Sequence, residues 1–510
     1  MRTFKLCTLL IGLVLGSALL LPARAETKPR VRIGSKAFAE SWVLGEALAV
    51  LARQAGEAEV EHSSNLGGTD IVYAALKSGQ VDVYPEYTGT IGEAILKTGG
   101  RPSPVEMRAA LAKQGLGVSD SLGFNDGYAL AVTGETAQKY GLTKVSDLKA
   151  RPDLRLAFTH EFLERKDGWP GLAARYALRM KDVRGIQHDL AYEALRTGQI
   201  DATEIYTTDA QIERLGLKIL EDDQGFFPRY DAVLLYRLDL PRRAPRSFAA
   251  MQRLIGKIDE RAMIRANGMV ILQHRSQQQA AAALLNEALK MGVTAAPAGR
   301  GEVARDILRN TGVHLKLVAI SLFAAVLIGI PLGIAAAGSR ALATASLSVT
   351  SVLQTIPSLA LLAFLIPLLR GIGEKPALVA LFLYSLLPIV RNTYTGLTTI
   401  PPNLAEAAEA LGLSPTERLL RISLPMASPS IMAGIKTSAV INVGTATLAA
   451  LVGAGGLGEP ILRGLQTLNP DQTLQGAIPA AVLALVVQGL FGLLDRLVIP
   501  RGLRLEPQRD

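Results

Sequence analysis

Two hydrophobic patterns divide the chain. Over residues 31–290, short apolar runs alternate with amphipathic ones, and Asp, Glu, Lys and Arg are dense between residues 140 and 310. Residues 31–34 read as a strand entering a Gly-Ser turn, 39–55 as a helix, and 81–84 and 154–158 as strands. Such alternation predicts α/β architecture. Residues 291–302 are small, Gly/Pro-rich and read as the start of a linker, which is expected over 292–309. Beyond it the pattern changes. Apolar runs long enough to cross a bilayer fall at residues 315–337, 345–369, 377–397, 429–452 and 474–499. From Lys316 to Thr399 the only charges are Lys316, Arg340, Arg370, Glu374, Lys375 and Arg391. A water-facing module is therefore followed by one that sits in lipid.

At the start, Arg2 and Lys5 precede an apolar stretch over residues 6–21 and an A-x-A site, Ala23-Arg24-Ala25. This predicts a cleaved secretory leader over 1–25 and export of residues 26–291. Five spans after an exported domain end in the cytoplasm. Arg340, Arg391, Arg418, Arg421, Arg496, Arg501, Arg504 and Arg509 then fall inside and Arg370, Lys375 and Arg463 outside, with Lys436 within the fourth span. That is the distribution the positive-inside rule expects. A cytoplasmic tail is expected over 501–510.

Composition narrows the chemistry. The chain is 49% hydrophobic and 19% charged, below the roughly 25% charged of soluble proteins. Its net charge is +9, but the basic residues are scattered, without the aromatic-interleaved runs of a nucleic-acid surface. Cys7 is the single cysteine, which excludes an intrachain disulfide framework or cysteine metal site. His62, His160, His188, His274 and His314 lack metal-ligand spacing, and Glu164 stands where H-E-x-x-H needs its second His. No catalytic site, metal or cofactor is expected.

An internal repeat organises the exported module. Tyr73-Ala-Ala-Leu76-Lys-Ser-Gly79-Gln80-Val-Asp82, followed by Tyr87-Thr88, returns as Tyr192-Glu-Ala-Leu195-Arg-Thr-Gly198-Gln199-Ile-Asp201, followed by Tyr206-Thr207. One copy in each of two lobes, the second over roughly 130–230, places Tyr87 and Tyr206 on loops after equivalent strands, facing each other across a cleft.

Between the third and fourth spans, Glu406-Ala407-Ala408, Gly412 and Ile422-Ser423-Leu424-Pro425 predict a helix, a glycine turn, and a second helix stopped before Pro425. Small Ala407 and Ala408 permit close approach by a soluble partner. The segment resembles the coupling loop of ABC-importer permeases, which engages the nucleotide-binding subunit. The resemblance covers residues 310–500 and includes Gln354-Thr355-Ile356-Pro357-Ser358 and Gly453-Ala454-Gly455-Gly456-Leu457-Gly458, as in permeases of the glycine betaine/choline class. The glycine run matches G-x-G-x-x-G but follows a span, and Glu459-Pro460 is expected to interrupt the helix a dinucleotide site needs, so it reads as an outer turn. No G-x-x-x-x-G-K-[ST] occurs: Gly256-Lys257 is followed by Ile258. The resemblance therefore implies a separate ATPase subunit.

The exported module resembles the binding proteins of the same transporters. The matching stretches are Gly34-Ser35-Lys36-Ala37-Phe38, Leu66-Gly67-Gly68-Thr69, residues 84–90, Asn125-Asp126-Gly127-Tyr128-Ala129, residues 161–165 and Phe226-Phe227-Pro228-Arg229-Tyr230. The resemblance implies a two-lobed type II periplasmic-binding-protein fold, α/β, ahead of an all-α polytopic permease domain with about five transmembrane helices. It also implies substrate-binding positions at Lys36, Tyr87, Thr90, Asp126, Tyr128, Arg165, Tyr206 and Tyr230. A quaternary ammonium has no N–H to donate and is held by aromatic faces at about 0.5–2 kcal/mol each. The four tyrosines suit that cage, and Lys36, Thr90 and Arg165 suit a carboxylate. Trp42 and Trp169 are assigned to packing. Gly127 and Ala37 depart from the family's usual Thr and Asn. The expected partners are a small quaternary-ammonium solute, a separate ATP-binding subunit, the bilayer of a bacterial inner membrane and a second permease copy, with the binding domain outside. Ergothioneine suits the same cage. A ligand-gated receptor or channel is the alternative of another class, though it has no need of the spacing from Glu406 to Pro425.

Overall fold

The computed structural model describes residues 28–98, 102–295, 300–369 and 371–503. The leader and its cleavage site, and the tail beyond residue 503, lie outside the described residues. Among the described residues, ten strands form two five-stranded sheets. They are β1 Arg30–Gly34, β2 Glu59–Ser63, β3 Val83–Tyr87, β4 Leu116–Val118, β5 Tyr128–Thr133, β6 Arg155–Phe158, β7 Asp182–Gly185, β8 Ala202–Tyr206, β9 Leu217–Leu220 and β10 Ala232–Arg237. The orders, β2-β1-β3-β10-β4 and β7-β6-β8-β5-β9, are the same arrangement twice, with the first three strands parallel and the inserted strand antiparallel to both neighbours. The inserted strand of each sheet is where the chain changes lobe, and the two crossing segments meet at an Asn125–Asp231 bridge.

The repeat sits at matching places in the two lobes. Helix α1 Ala39–Gln54 follows β1, α2 Thr69–Lys77 precedes β3, and α3 His188–Arg196 precedes β8. Gly79 and Gly198 close their helices at φ +74° and +67°, a left-handed conformation that costs a Cβ-bearing residue about 1–2 kcal/mol. Asp82 then accepts from the Arg32 backbone N–H and from its guanidinium Nε and Nη2 (2.8, 3.1 and 3.0 Å), and Asp201 accepts from Arg155 likewise (2.8, 2.9 and 2.9 Å). Each repeat thus ends on a bidentate clamp to the parallel strand beside it, β1 in one sheet and β6 in the other. Tyr87 and Tyr206 are the last residues of β3 and β8, not loop residues as expected, because pairing with β10 and β5 extends to them.

The core of lobe one lies where α1, nearly all buried, packs between the sheet and the helices around α4 Glu260–Ile271. Trp42 is 1% exposed within it, and Trp169 packs on Phe158 in the lobe-two core.

The remainder is helical: α5 Arg300–Gly338, α6 Arg340–Thr355, α7 Ser358–Leu369, α8 Glu374–Thr398, α9 Pro402–Ala410, α10 Pro415–Val452, α11 Gly458–Gln466 and α12 Pro470–Val498. Four of these are long and apolar enough to cross a membrane, and a fifth span forms if the bent pair α6–α7 counts as one. Glycines let the helices approach: a Cβ on Gly333 would lie 2.6 Å from Thr393, and one on Gly434 2.7 Å from the Pro388 carbonyl. Buried polar groups tie the same helices, with Asn442 Nδ2 donating to Ser321 Oγ (3.1 Å) and Ser438 Oγ to the Ser385 carbonyl (2.9 Å).

Four further expectations change. The second half of the linker is helix, because residues 300–309 extend the first span. The second span bends by 101° at Ile356-Pro357, where the proline ring favours the extended backbone seen at Ile356 (ψ 123°), and Tyr384 donates its hydroxyl to the Ile356 carbonyl. Pro425 does not stop a helix: a π-turn over Leu419–Ser423 absorbs its missing donor, and α10 runs on. Glu459-Pro460 does not interrupt a helix either, since Pro460 lies in the first turn of α11, where a missing N–H is tolerated.

Candidate functional site

The register of lobe two builds the centre of the site. Tyr128 opens β5 directly opposite Tyr206 at the end of β8, and their ring centroids are 5.4 Å apart. Tyr230, just before β10, meets Tyr128 edge-on at 5.3 Å. Phe38, at the start of α1 in lobe one, reaches Tyr206 (5.6 Å) and Tyr87 (6.3 Å). Phe162 and Phe227 back Tyr128 at 5.1 and 6.3 Å. Both lobes therefore contribute to one aromatic cluster. Tyr87 joins it through Phe38.

Two cations flank the rings. Lys36 Nζ lies 4.8 Å from the Tyr87 centroid and 5.5 Å from Phe38, and donates to Glu86 at 2.6 Å with both side chains buried. The Arg165 guanidinium lies 5.7 Å from the Tyr128 ring, pairs with Asp167 and Glu161, and crosses to Thr90 of lobe one at 3.5 Å. Tyr230 donates its hydroxyl to Asp167 at 2.7 Å, so the same carboxylate fixes one cage ring and the guanidinium. A cleft of about 540 Å³ lies between Gly68–Ile71 of lobe one and residues 161–166 of lobe two, with Arg165 in its lining.

Behind the rings lies a buried polar hinge. Glu40 accepts from Tyr87 (2.7 Å), Asn267 (2.9 Å) and Thr208 (2.6 Å), and Thr208 Oγ also lies 2.9 Å from Asp126. One hydroxyl has one proton, so a carboxyl must supply the other. Three donors converge on Glu40, which leaves the proton to Asp126. Burial, with the Glu40 charge beside it, pushes the Asp126 carboxyl well above its ordinary range, and burial also raises Glu40. Asp126 thus faces Thr208 and Glu40, next to the Asn125–Asp231 crossing. His188 stacks on Tyr206 at 4.3 Å and pairs with Asp209 at 2.9 Å. Burial opposes its charge, but the Asp209 carboxylate outweighs that and raises it to about 9.

The structure brings Tyr128, Tyr206, Tyr230 and Arg165 into contact, and Lys36 and Tyr87 beside Phe38. Sequence reasoning missed Phe38, Phe227, Asp167, Glu40 and His188 as members of the site. Phe38 and Phe227 stood inside quoted stretches; alternation with Lys36 pointed to Phe38, and no local spacing pointed to Phe227.

On the permease, α9 and the start of α10 form a hairpin. Gly412 turns it at φ +75° with nothing within 4 Å of an added Cβ. Ser414 and Glu417 form a reciprocal cap, and Arg418 pairs with Glu409 at 2.9 Å. Glu406 and Ala407 are exposed and Ala408 is buried. Leu411 and Leu420, 79% and 60% exposed, give the hairpin an apolar tip that the sequence reading did not single out.

Residues 29–287 match the family model of the substrate-binding domain of ABC-type glycine betaine transport systems, half of the chain. Residues 329–500 match that of the binding-protein-dependent transport system inner membrane component. The OpuCB permease protein of the Bacillus subtilis (strain 168) glycine betaine/carnitine/choline transport system is 42% identical over 199 residues, 39% of this chain and 91% of the relative. The OsmW osmoprotectant import permease protein of Salmonella typhimurium is 43% identical over 195 residues, 38% and 91% of the two chains. A solved structure of a glycine betaine/carnitine/choline ABC transporter is 31% identical, covering 50% of this chain and 97% of that one, with a TM-score of 0.43. The chain belongs to the ABC importers of the glycine betaine class, as a multi-pass inner-membrane protein in which the substrate-binding domain is fused ahead of the permease domain.

Proposed function

We propose that the exported domain closes its two lobes over a small quaternary-ammonium solute bearing an acidic or hydroxyl group, such as glycine betaine, carnitine or choline, and delivers it to the fused permease. The carrying observation is an aromatic cluster drawn from both lobes, flanked by Lys36 and Arg165, on a chain that also carries a coupling hairpin. Methylated nitrogen is recognised by ring faces and a carboxylate by the cations. The domain lies on the outer side of the membrane. The substrate positions are Lys36, Tyr87, Thr90, Tyr128, Arg165, Tyr206 and Tyr230, with Asp126 acting from the hinge.

The chain supplies no ATPase site of its own. A separate ATP-binding subunit docks on Glu406, Ala407, Ala408 and the Gly412 turn, with the π-turn before Pro425 anchoring the hairpin to α10. Two copies of the permease form the path, the usual closed symmetric solution for a half-path. The hairpin favours this reading over a ligand-gated channel. The test is uptake by proteoliposomes carrying the chain with its ATPase: labelled glycine betaine or choline accumulates only with ATP inside. Passive, ATP-independent flux would instead support the channel.

A further inference from the structure

One charge stands inside the fourth span. Lys436 is the only charged residue between Pro425 and Gly458. At about 1.5 Å per residue it lies about 17 Å along α10 from Pro425 and about 24 Å from Val452. Among the described residues no ion pair or hydrogen bond engages its side chain. The carboxylates of the packed neighbours α8 and α12 stand near helix ends: Glu374 pairs with Lys316 at 2.7 Å, and Asp471 and Asp495 lie close to the two ends of α12. A cation at such depth faces the interior of a bundle or a water-filled path.

The surroundings of Lys436 favour the path. One side of α10 is closed by its neighbours: Gly434 abuts the Pro388 carbonyl, Ser438 bonds the Ser385 carbonyl and Asn442 bonds Ser321. Ala433, Lys436, Thr437, Val440 and Gly444 recur at steps of three and four and share the other side. From Pro425 to Val452 the exposed residues are Ala433, Thr437 and Gly444, with Lys436 and Val440 half-buried. A Cβ on Gly444 would meet nothing within 4 Å. On α5 and α12 the exposed side chains are large and apolar, such as Phe323, Leu327, Leu485 and Leu493. Those helices present a surface for lipid tails. A stripe of small residues, a threonine hydroxyl and an ammonium suits water instead.

We propose that Lys436 lines the translocation path and receives the carboxylate of a passing zwitterion, so that the permease itself favours solutes of the glycine betaine type over choline. This rests on the transport reading above. Glycine betaine carries a carboxylate and no net charge; choline carries a hydroxyl and a full positive charge. A carboxylate that leaves the cations of the binding domain meets an ammonium again on its way through. Choline instead brings a second cation to a fixed one, beside a wall of low dielectric where like charges repel more strongly than in water. A lysine suits transit, because its point charge on a flexible stem lacks the bidentate grip of an arginine. Selection is thus made twice: ring faces choose the methylated nitrogen, and Lys436 chooses the acid.

Uptake by proteoliposomes carrying the full chain with its ATPase tests this, with each solute at saturation. The readout is the ratio of maximal rates, glycine betaine over choline. Lys436→Gln should lower that ratio by about fivefold or more, the loss of one charged hydrogen bond, and Lys436→Arg should keep it within about twofold. Calorimetry should find both affinities within twofold of the parent, since the binding domain is unaltered. Val440→Asp, one turn along the same face, gives Lys436 a counter-ion and should lower the ratio likewise. An unchanged ratio in Lys436→Gln, whether from unaltered uptake or from equal loss of both solutes, overturns the assignment; equal loss is the result for a lysine that pairs with lipid phosphate or with a second copy. A parent that accumulates neither solute with ATP inside overturns the transport reading, and the assignment with it.

Discussion

Replacing Lys36 by Met leaves Glu86 without its counter-ion. The two side chains are 7% and 0% exposed and their charged atoms lie 2.6 Å apart. Glu86 then keeps the Tyr87 N–H at 3.0 Å but no cationic partner. Breaking one side of such a pair costs about 3–5 kcal/mol, since the remaining charge stays buried. For a domain of this size each kcal/mol moves the midpoint by about 2–4 °C, so K36M should melt about 6–20 °C lower. Both tryptophans, Trp42 and Trp169, belong to the binding domain, so intrinsic fluorescence of the full chain in detergent reads this unfolding alone. K36M/E86Q removes both charges and should recover most of the loss. If Lys36 also serves a carboxylate, the double variant should bind glycine betaine about 10–150-fold more weakly, the value of a charged hydrogen bond at about 1.5–3 kcal/mol, and bind choline almost unchanged. A K36M midpoint within a degree of the parent refutes the buried-pair argument. An equal loss for choline and glycine betaine refutes the carboxylate role.

Tyr128→Ala should weaken binding of a trimethylated ligand about 2–30-fold, corresponding to about 0.5–2 kcal/mol of cation–π energy, while Tyr128→Phe keeps the ring and the affinity; calorimetry on both variants checks this. His188, raised to about 9 against its ordinary 6.5, contributes stability that is full below pH 6.5 and lost as pH rises through 9. The tryptophan-monitored midpoint should therefore fall across that window, and His188→Gln should flatten the fall. Gly412→Ala meets no neighbour but strains a φ of +75° by about 1–2 kcal/mol. It should leave ligand affinity unchanged and reduce ligand-stimulated ATP hydrolysis several-fold, as read in the assembled complex.

The repeat was legible because its parts are local and chemically marked. A left-handed glycine ends each helix, and an aspartate nine residues after the first tyrosine of each copy clamps an arginine on a neighbouring strand. The coupling hairpin was legible for the same reason, as a short spacing of small, capping and turn residues. The hinge was not. Glu40, Thr208 and Asn267 converge from elements 168 and 227 residues apart, and no local pattern announces that meeting. Phe38 hid behind Lys36, which carried the more obvious chemistry. The break at Pro357 and the continuity through Pro425 show why proline alone misleads. The outcome depends on the residue before the proline: Ile356 takes the extended backbone and the helix breaks, whereas the widened turn over Leu419–Ser423 keeps Leu424 helical and the helix runs on.

The most direct measurement is calorimetric titration of the purified full chain with glycine betaine, choline, carnitine and ergothioneine, with glycine as the unmethylated control. The account predicts saturable one-site binding of a methylated ammonium and none of glycine, with the heat lost in Tyr206→Ala/Tyr128→Ala. Binding of glycine as tight as that of glycine betaine, or methylated-ligand binding untouched by removal of both rings, would contradict it.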